Sequence, residues 1–262
     1  MPASLYDAHI HLANSSLLEA FGEVDRLYAE IGVRKVVCNG TSPDDWDTVL
    51  NLASKDPRII PAIGLHPWKV NDAPENWQKQ FLSALDQGAQ AIGEVGLDQW
   101  IDGHDIRAQQ DAFRFQLQAA TTDNLPISIH CLQAIGPLMD TLRSNPLPRR
   151  GLQIHAYNGP TELIPELVGL GTYFSFNSGQ LRPDRPKVIE RIRATPSDRI
   201  LVETDAPDFL PSDSYREFYL DSPDLCHPAN IRCGYKAIAE IRGVDLKEFA
   251  LQVESNFHRY FE

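Results

Sequence analysis

The sequence predicts an α/β protein that folds as a single (β/α)8 TIM barrel. Eight short apolar runs alternate with segments of helical periodicity along the 262 residues, and repeated βα units form a parallel sheet that can close into a barrel. Histidine or carboxylate side chains end five of these runs, at the barrel face where active sites are built. A doubly wound open sheet is the alternative, but its crevice would not easily gather side chains from both the first and the last strand.

Each element is predicted from its apolar period and its boundary residues. Short apolar runs between turn residues indicate strands, and apolar residues at helical spacing indicate helices. The predicted strands are 5–12, 34–40, 58–67, 91–97, 125–131, 151–157, 172–176 and 199–205. The predicted helices between them are 15–32, 42–54, 76–88, 106–122, 136–144, 161–171 and 186–194. Ser42 and Pro43 suit the N-cap and first-turn positions of the second helix, and Gly88 suits the end of the third.

The composition favours one domain without a membrane segment. Hydrophobic residues make up 42% of the chain and no low-complexity linker divides it, so we expect a single barrel domain over residues 5–262. The stretch 206–226, rich in Pro, Asp and aromatic residues, is expected to be an active-site loop insertion. No charged start precedes an apolar h-region, and no apolar stretch approaches about 18 residues. We therefore expect a cytoplasmic protein without membrane contact.

Charge and cysteine content narrow the function classes. A formal net charge of −12 counts against a nucleic-acid binder with a broad basic surface, although metal ions in an active site would add local positive charge. The four cysteines follow no CxxC pattern, and buried thiols in a reducing compartment are the simplest interpretation. Cys226, His227 and Cys233 are close in sequence, but their spacing fits no common zinc motif.

Several potential metal ligands end apolar runs that lie far apart in sequence. A buried strand rarely ends in an imidazole or a carboxylate for packing reasons, and these groups are ligands of Zn, Mn, Mg and Ni ions. The sequence therefore predicts one or two divalent metal ions, whose identity the ligand types do not select. Hydrogen-bonded structural histidines and a salt-bridged glutamate are the alternatives. The predicted metal ligands are His9, His11, Glu94, His130, His155 and Asp205.

The positions of these residues indicate their roles. His9 and His11 are two residues apart on a strand, so both imidazoles can reach one ion. Glu94 can bridge two ions with its two oxygens, while His130 and His155 hold the second ion.

Catalytic roles are predicted for Asp205 and Glu94. Asp205 is expected to bind metal and to take the proton from the attacking water. His66 ends the third strand and is expected to contact substrate at the mouth of the site. Asp7 has the same strand parity as the first two histidines and is expected to support one of them by a hydrogen bond.

Other side chains near strand ends have two interpretations each. Trp68 and Trp100 can line a pocket or stack on a base, although aromatic residues near barrel loops more often pack. Arg182, Arg185 and Lys187 follow the seventh strand, where barrels often bind phosphate; an ordinary solvated cluster is the alternative.

From about Tyr6 to Phe261 the chain resembles the TatD family of metal-dependent hydrolases, within the amidohydrolase superfamily. The resemblance rests on His9-x-His11, Glu94-x-Gly96-x-Asp98, the strand-ending His130 and His155, Glu203-Thr-Asp205-Ala-Pro207, Gly64-x-His66-Pro67 and Asn256-x-x-Arg259-x-Phe261. It implies a (β/α)8 barrel with up to two divalent ions. It assigns one ion to His9, His11, Glu94 and Asp205, and the other to Glu94, His130 and His155. Similar members include DNA exonucleases that hydrolyse phosphodiester bonds.

The chain departs from the family pattern at the substrate rim. The family usually has His-x-Arg where this chain has His130-Cys131-Leu132, and Arg-Asn-Glu-Pro where it has Leu225-Cys226-His227-Pro228. The family's Gly-x-His-Pro-His ends here in Trp68. Both missing arginines could have formed bidentate contacts with phosphate. A rim that is less cationic and more apolar than in a nuclease is therefore expected.

Three hypotheses for function remain open from the sequence. The first is a divalent-metal-dependent hydrolase of the TatD type that uses metal-activated water on phosphodiesters, a deoxyribonuclease whose partner is a single-stranded nucleic acid end. The second keeps the site but changes the substrate to a small amide, lactone or ester, as Leu132, Trp68 and the excess of acidic over basic residues suggest. The third is a non-catalytic, metal-stabilised binding barrel. The sequence does not predict an oligomeric state.

Overall fold

The fold is an eight-stranded parallel barrel. The structure, a computed structural model, describes residues 3–182 and 185–262. Every strand pairs in parallel with its neighbour in sequence, in the order β1 to β8, which confirms the predicted TIM barrel. The strands are β1 (Leu5–Ile10), β2 (Val33–Asn39), β3 (Ile59–Ile63), β4 (Ala91–Asp98), β5 (Ile127–Leu132), β6 (Leu152–Ile154), β7 (Thr172–Phe176) and β8 (Ile200–Val202).

The first and last strands meet just beyond their C-terminal ends. The backbone N–H of Asp205 donates to the carbonyl of His9 over 2.9 Å, and the N–H of His11 donates to the carbonyl of Ala206 over 2.9 Å. These bonds bring the residues after β8 beside the end of β1. Predicted site residues from the two ends of the chain are thereby placed next to each other, which an open sheet would not do.

Helices surround the barrel in alternation with the strands. Those in the described ranges are α1 (Ser15–Glu19), α2 (Phe21–Ile31), α3 (Pro43–Lys55), α4 (Trp77–Asp86), α5 (Ile106–Asp123), α6 (Ile135–Ser144), α7 (Ile164–Gly169), α8 (Lys187–Ala194), α9 (Ile231–Arg242) and α10 (Leu246–Phe261). None of them combines the length and the apolar character needed to cross a membrane.

Local sequence explains most helix boundaries. As predicted, α3 begins at Pro43 after Ser42, whose N–H donates to the Asp45 carboxylate over 3.3 Å. This contact satisfies one of the backbone donors left free at a helix start. The helix predicted over 15–32 is divided instead at Ala20, where ψ is 3°. Gly22, a poor helix former, lies in the first turn of the second piece.

The N-terminal end of the barrel is closed by apolar packing. Aromatic residues of α10 pack with Tyr6 and with residues from other strands in one buried cluster. The hydroxyl of Tyr260 donates to the carbonyl of Ile127 and accepts from its N–H, over 2.7 and 2.8 Å. Since β5 begins at Ile127, α10 covers this end of the sheet. The open face of the barrel is therefore the C-terminal one.

Candidate metal centre

Glu94 lies at the middle of the predicted ligand set. Its Oε2 is 3.4 Å from Nε2 of His9 and 3.1 Å from Nε2 of His11. Its Oε1 is 2.8 Å from Nδ1 of His130 and 2.8 Å from Nε2 of His155. The two carboxylate oxygens thus contact two different pairs of imidazoles, which is the arrangement that a carboxylate bridging two ions requires.

Asp205 completes the first of these two groups. Its Oδ1 is 3.3 Å from Nε2 of His11 and 3.6 Å from Nε2 of His9. These three residues offer ligand atoms that all lie within 4.8 Å of one another. Asp205 has a φ of 54°, a left-handed conformation that is uncommon for a residue other than glycine. All six predicted ligands are brought together at one place in the fold.

Hydrogen bonds on the outer side of two imidazoles fix which ring nitrogen of each faces the centre. Nδ1 of His11 is 3.0 Å from the carbonyl oxygen of Asn39, and Nε2 of His130 is 2.9 Å from Oδ2 of Asp98. Both partners only accept hydrogen bonds, so each of these ring nitrogens carries a proton. The other nitrogen of each ring faces Glu94; it donates to a carboxylate while the ring is protonated and would offer its lone pair to an ion once that proton is lost. A metal-binding histidine usually donates its other ring N–H to a carboxylate or a backbone carbonyl in this way. The donor set therefore fits a divalent cation.

The other two imidazoles differ in their outer contacts. Nδ1 of His9 is 2.7 Å from the hydroxyl of Ser128, which can donate or accept. The Nδ1 of His155 is buried and has no hydrogen-bond partner among the described residues. It lies 3.9 Å from Oε1 of Glu203 and 3.6 Å from Oδ2 of Asp205. The ring planes of His9 and His155 are stacked, with centroids 4.1 Å apart.

The carboxylates of the centre stay ionised in spite of their burial. Burial disfavours the charged form of Glu94, but the imidazoles of His66 and His155 outweigh this effect and hold its pKa well below the usual range. Burial likewise opposes ionisation of Asp205, and the hydrogen bond from His11 overcomes it, so that the pKa of Asp205 is lowered. Ionised carboxylates beside histidine nitrogens form a donor set that suits a divalent cation.

Asp98 connects the centre to the outer part of the pocket. Besides His130, its carboxylate accepts hydrogen bonds from the indole N–H of Trp68 over 2.7 Å and from the backbone N–H of Trp100 over 2.7 Å. Burial raises the pKa of Asp98, but the hydrogen bonds from His130 and Trp68 prevail and lower it to about 2. The sequence motif contains Asp98, yet its role was not predicted, because its partners are brought to it by tertiary structure.

His66 directs an N–H towards the carboxylate of Glu94. The backbone N–H of Trp68 donates to Nδ1 of His66 over 3.1 Å, so in the neutral ring Nε2 carries the hydrogen. That Nε2 is 3.2 Å from Oε1 of Glu94. Burial lowers the pKa of His66 to about 4, which keeps the ring neutral near pH 7. In this tautomer His66 is a hydrogen-bond donor at the centre, since a metal ligand needs a free lone pair.

Two other buried carboxylates accept hydrogen bonds from groups at the strand ends. Asp7 does not hydrogen-bond an imidazole as predicted; it accepts from the backbone N–H of His9 over 3.2 Å and from the hydroxyl of Thr204 over 2.6 Å. This prediction is wrong because the backbone N–H and the hydroxyl of Thr204, just after β8, donate to the two oxygens of Asp7. Glu203, to which the sequence assigned no role, accepts from the N–H of Ala156 over 2.8 Å. Burial of a carboxylate in an apolar run was the signal that could have indicated it.

The metal centre lies in a pocket of 1120 Å³ at the C-terminal face. The lining contains Lys69, next to Trp68, and four further basic residues that follow β7 or lie on α8. We name these four the basic wall: Arg182, Arg185, Lys187 and Arg191. A rim that is less cationic than in a nuclease stays a prediction, since the two positions where the family usually has arginine do lack it. The groups of the basic wall are supplied by the segment after β7 and by α8, instead of by the positions where the family usually has arginine.

The positions that lack arginine differ in their placement. Leu132 lines the pocket, whereas Cys226 and His227 are buried and are not part of its lining in the described portion of the chain. Of the predicted loop 206–226, residues 207–209 line the pocket. Its role as an active-site insertion stays a prediction.

A family model confirms the resemblance seen in the sequence. The model described as TatD related DNase matches residues 6–262. The chain belongs to this family. It is therefore a TatD-family, metal-dependent hydrolase with a TIM-barrel fold, and its clusters of histidine and carboxylate side chains suit divalent metal binding.

Individual relatives match along almost the whole chain. The Bacillus subtilis protein named "Uncharacterized metal-dependent hydrolase YabD" is 30% identical over 261 residues, which covers 98% of this chain and 98% of that protein. The "3'-5' ssDNA/RNA exonuclease TatD" of Erwinia tasmaniensis is 26% identical over 265 residues, with 98% and 99% covered. The crystal structure of the TatD homolog YJJV from Escherichia coli K12 has a TM-score of 0.90 at 24% identity, covering 100% of this chain and 99% of that one, and it shares the fold.

Proposed function

We propose that the protein hydrolyses phosphodiester bonds at the ends of single-stranded nucleic acids. The basic wall carries this proposal: in a chain of net charge −12, its four side chains and Lys69 line the pocket that contains Glu94. Arginine and lysine are the usual partners of phosphate. The relative from Erwinia tasmaniensis, whose name describes an exonuclease on single-stranded DNA and RNA, matches over 98% of this chain. A TIM barrel also commonly binds phosphate after its seventh strand.

The metal centre is proposed to contain two divalent ions. They would activate water as the nucleophile and offset the negative charge on the scissile phosphate. Zn, Mn, Mg and Ni ions all suit the donor types. One ion would be held by His9, His11, Glu94 and Asp205, and the other by Glu94, His130 and His155.

Asp205 is the proposed general base. Its carboxylate is ionised, because its pKa is lowered by the nearby imidazoles, and it lines the pocket beside Glu94. It would take the proton that the attacking water loses, a role that commonly accelerates a reaction by roughly 100- to 10,000-fold. Glu94 positions the centre, since its two oxygens contact opposite pairs of histidines.

His66 is proposed to contact the substrate as a hydrogen-bond donor. Its Nδ1 is occupied by the backbone N–H of Trp68, which leaves the Nε2–H directed into the centre. A phosphoryl oxygen placed beside Glu94 would accept from this N–H. Because the ring is neutral, it would orient a phosphoryl oxygen by a hydrogen bond, while the basic wall would offset the negative charge of the phosphate.

Charge reversal on the basic wall tests this function. The double variant Arg185→Glu, Lys187→Glu should lower kcat/KM on a single-stranded oligonucleotide at least about tenfold, mainly through KM. Each lost phosphate contact should reduce the slope of log binding constant against log salt concentration by about 0.7. Arg193→Glu is the control, because Arg193 lies on the same helix but outside the pocket lining.

The outcomes separate the three candidate functions. Oligonucleotide cleavage that the double variant loses and Arg193→Glu retains supports the proposal. Wild-type turnover of a small amide, lactone or carboxyl ester, without any cleavage of oligonucleotides, would replace it with the small-molecule function that Leu132 suggests. Bound metal without turnover of any of these substrates would favour a binding barrel.

A further inference from the structure

Two tryptophans form an open aromatic surface at the mouth of the pocket. Trp68 and Trp100 both line it, and their side chains remain 43% and 59% exposed. Their ring centroids are 6.3 Å apart and the ring planes are tilted by 33°. Large aromatic side chains left open next to a catalytic centre are unusual when packing alone explains them, because burial of their rings would be favourable.

The first indole ring is held in a fixed orientation. The N–H of Trp68 donates to Oδ2 of Asp98 over 2.7 Å, and the ring meets the ring of His66 edge-on, with centroids 5.1 Å apart. The backbone N–H of Trp100 donates to the other oxygen of Asp98 over 2.7 Å. The carboxylate that also supports His130 therefore holds the ring of Trp68 and the backbone of Trp100. A ring that is held in place before binding loses little conformational entropy when a ligand stacks on it.

We infer that the Trp68–Trp100 pair is the binding surface for a nucleobase of the strand end that enters the pocket. This inference rests on the proposed function and names the part of the substrate that the basic wall does not bind. An aromatic face stacks on any base, because every base has a π face. The pocket offers aromatic rings for the base, cations for the phosphates and the metal centre for the scissile bond.

The combination of the basic wall and the Trp68–Trp100 pair favours a nucleotide over an apolar ligand. An aliphatic acyl chain would bury against the indoles but would bring no anionic group to Arg185 and Lys187. A bare phosphate would contact the cations and leave the indoles exposed. A nucleotide unit offers a phosphate to the basic wall and a base to the Trp68–Trp100 pair. Stacking contributes binding free energy without selecting one base.

Binding of a nuclease-resistant oligonucleotide tests the inference. The metal-loaded protein would be titrated with a labelled, single-stranded oligonucleotide that carries phosphorothioate terminal linkages, and with the same strand lacking its terminal bases. Removal of these bases should weaken binding to the wild type about tenfold, as expected for the loss of one stacked base. Trp100→Ala should weaken binding of the complete strand by a similar factor and should bind both strands equally. Trp100→Phe should restore most of the preference for the complete strand.

Two comparisons make the result specific. Trp77→Phe is the matched control, because Trp77 packs against Phe81 and Phe115 away from the pocket, and it should keep wild-type affinity and preference. The inference is overturned if Trp100→Ala still prefers the base-bearing strand, or if neither strand binds. Cleavage of the unmodified oligonucleotide is measured in parallel. Cleavage with an unchanged preference in Trp100→Ala refutes the stacking surface alone, whereas base-dependent binding without cleavage refutes the phosphodiesterase alone.

Discussion

At the scale of single residues, Asp98 joins the metal centre to the pocket wall. Its carboxylate accepts from His130 on one side and from Trp68 and Trp100 on the other. Because Nε2 of His130 donates to Asp98, Nδ1 is the ring nitrogen that faces Glu94 and would be offered to an ion. A residue that touches no metal can thus determine which nitrogen is offered to one.

Replacement of Asp98 should therefore weaken metal binding. In Asp98→Asn the uncharged amide supports the His130 N–H less well, and we expect a loss of about 10- to 100-fold in metal affinity. Isothermal titration of the metal-free protein with Zn²⁺ or Mn²⁺ measures this. Asp105→Asn is a suitable control, since Asp105 only caps α5 at the surface. Unchanged affinity in Asp98→Asn would contradict the assigned role.

Asp205 gives a second prediction at this scale. Asp205→Asn removes the proposed base while it keeps an oxygen that can bind metal. We expect kcat to fall by roughly 100- to 10,000-fold, with the fold retained by circular dichroism. Metal content, measured by mass spectrometry on the same sample, distinguishes loss of the base from loss of the ion. Substantial turnover in this variant would exclude Asp205 as the base.

At the scale of elements, the close approach of β4 and β5 requires a glycine. Gly96 has a φ of 139°, and a methyl group there would overlap the carbonyl oxygen of His130. Gly96 is paired with His130 across the two strands. The glycine in the Glu94-x-Gly96-x-Asp98 motif thus allows β5 to bring an imidazole up to the carboxylate on β4.

Gly96→Ala should accordingly destabilise the protein by more than about 1 kcal/mol, because both the backbone angle and the space are unsuitable. Urea unfolding of the metal-free protein measures the change in the free energy of unfolding. Gly22→Ala is the opposite control: Gly22 lies in α2 with nothing within 4 Å of the added carbon, and alanine is the better helix former. Equal effects of the two substitutions would contradict this explanation.

The elements also show what the sequence can and cannot predict. The strands were predictable because each is buried and therefore apolar, and the six ligands because polar groups end those runs. The division of the first helix at Ala20 has no apolar signal. The hydrogen bonds of Asp98 and Asp7 depend on partners brought together by the closed barrel, such as Thr204 at the other end of the chain. The placement of Arg182 and Arg185 in the pocket lining likewise depends on tertiary structure.

At the scale of the whole molecule, the site couples metal binding to stability. Residues from both ends of the chain contribute to it, and several buried carboxylates and imidazoles meet there. An ion that binds only the folded state stabilises it by mass action, by about 2.7 kcal/mol when its concentration is 100 times the dissociation constant. Metal should therefore hold the first and last strands of the barrel together.

Divalent metal should raise the Tm of the wild type by several degrees over the chelated protein, since about 1 kcal/mol corresponds to roughly 2–4 °C in a domain of this size. Glu94→Gln removes the charge shared by both proposed ions, so its Tm should respond little to metal. Differential scanning calorimetry with and without EDTA measures both. A wild-type Tm that is indifferent to metal would contradict the proposed centre.

The central claim is that this metal centre cleaves phosphodiester bonds, and one measurement tests it most directly. Single-stranded DNA labelled at the 3′ or the 5′ end would be incubated with wild type and with Glu94→Gln, in the presence of Mg²⁺, Mn²⁺ or Zn²⁺. We predict shortening of the strand by the wild type, with a label pattern that gives the polarity, and no shortening by the variant. Intact DNA after incubation with wild type shown to contain metal would contradict the claim.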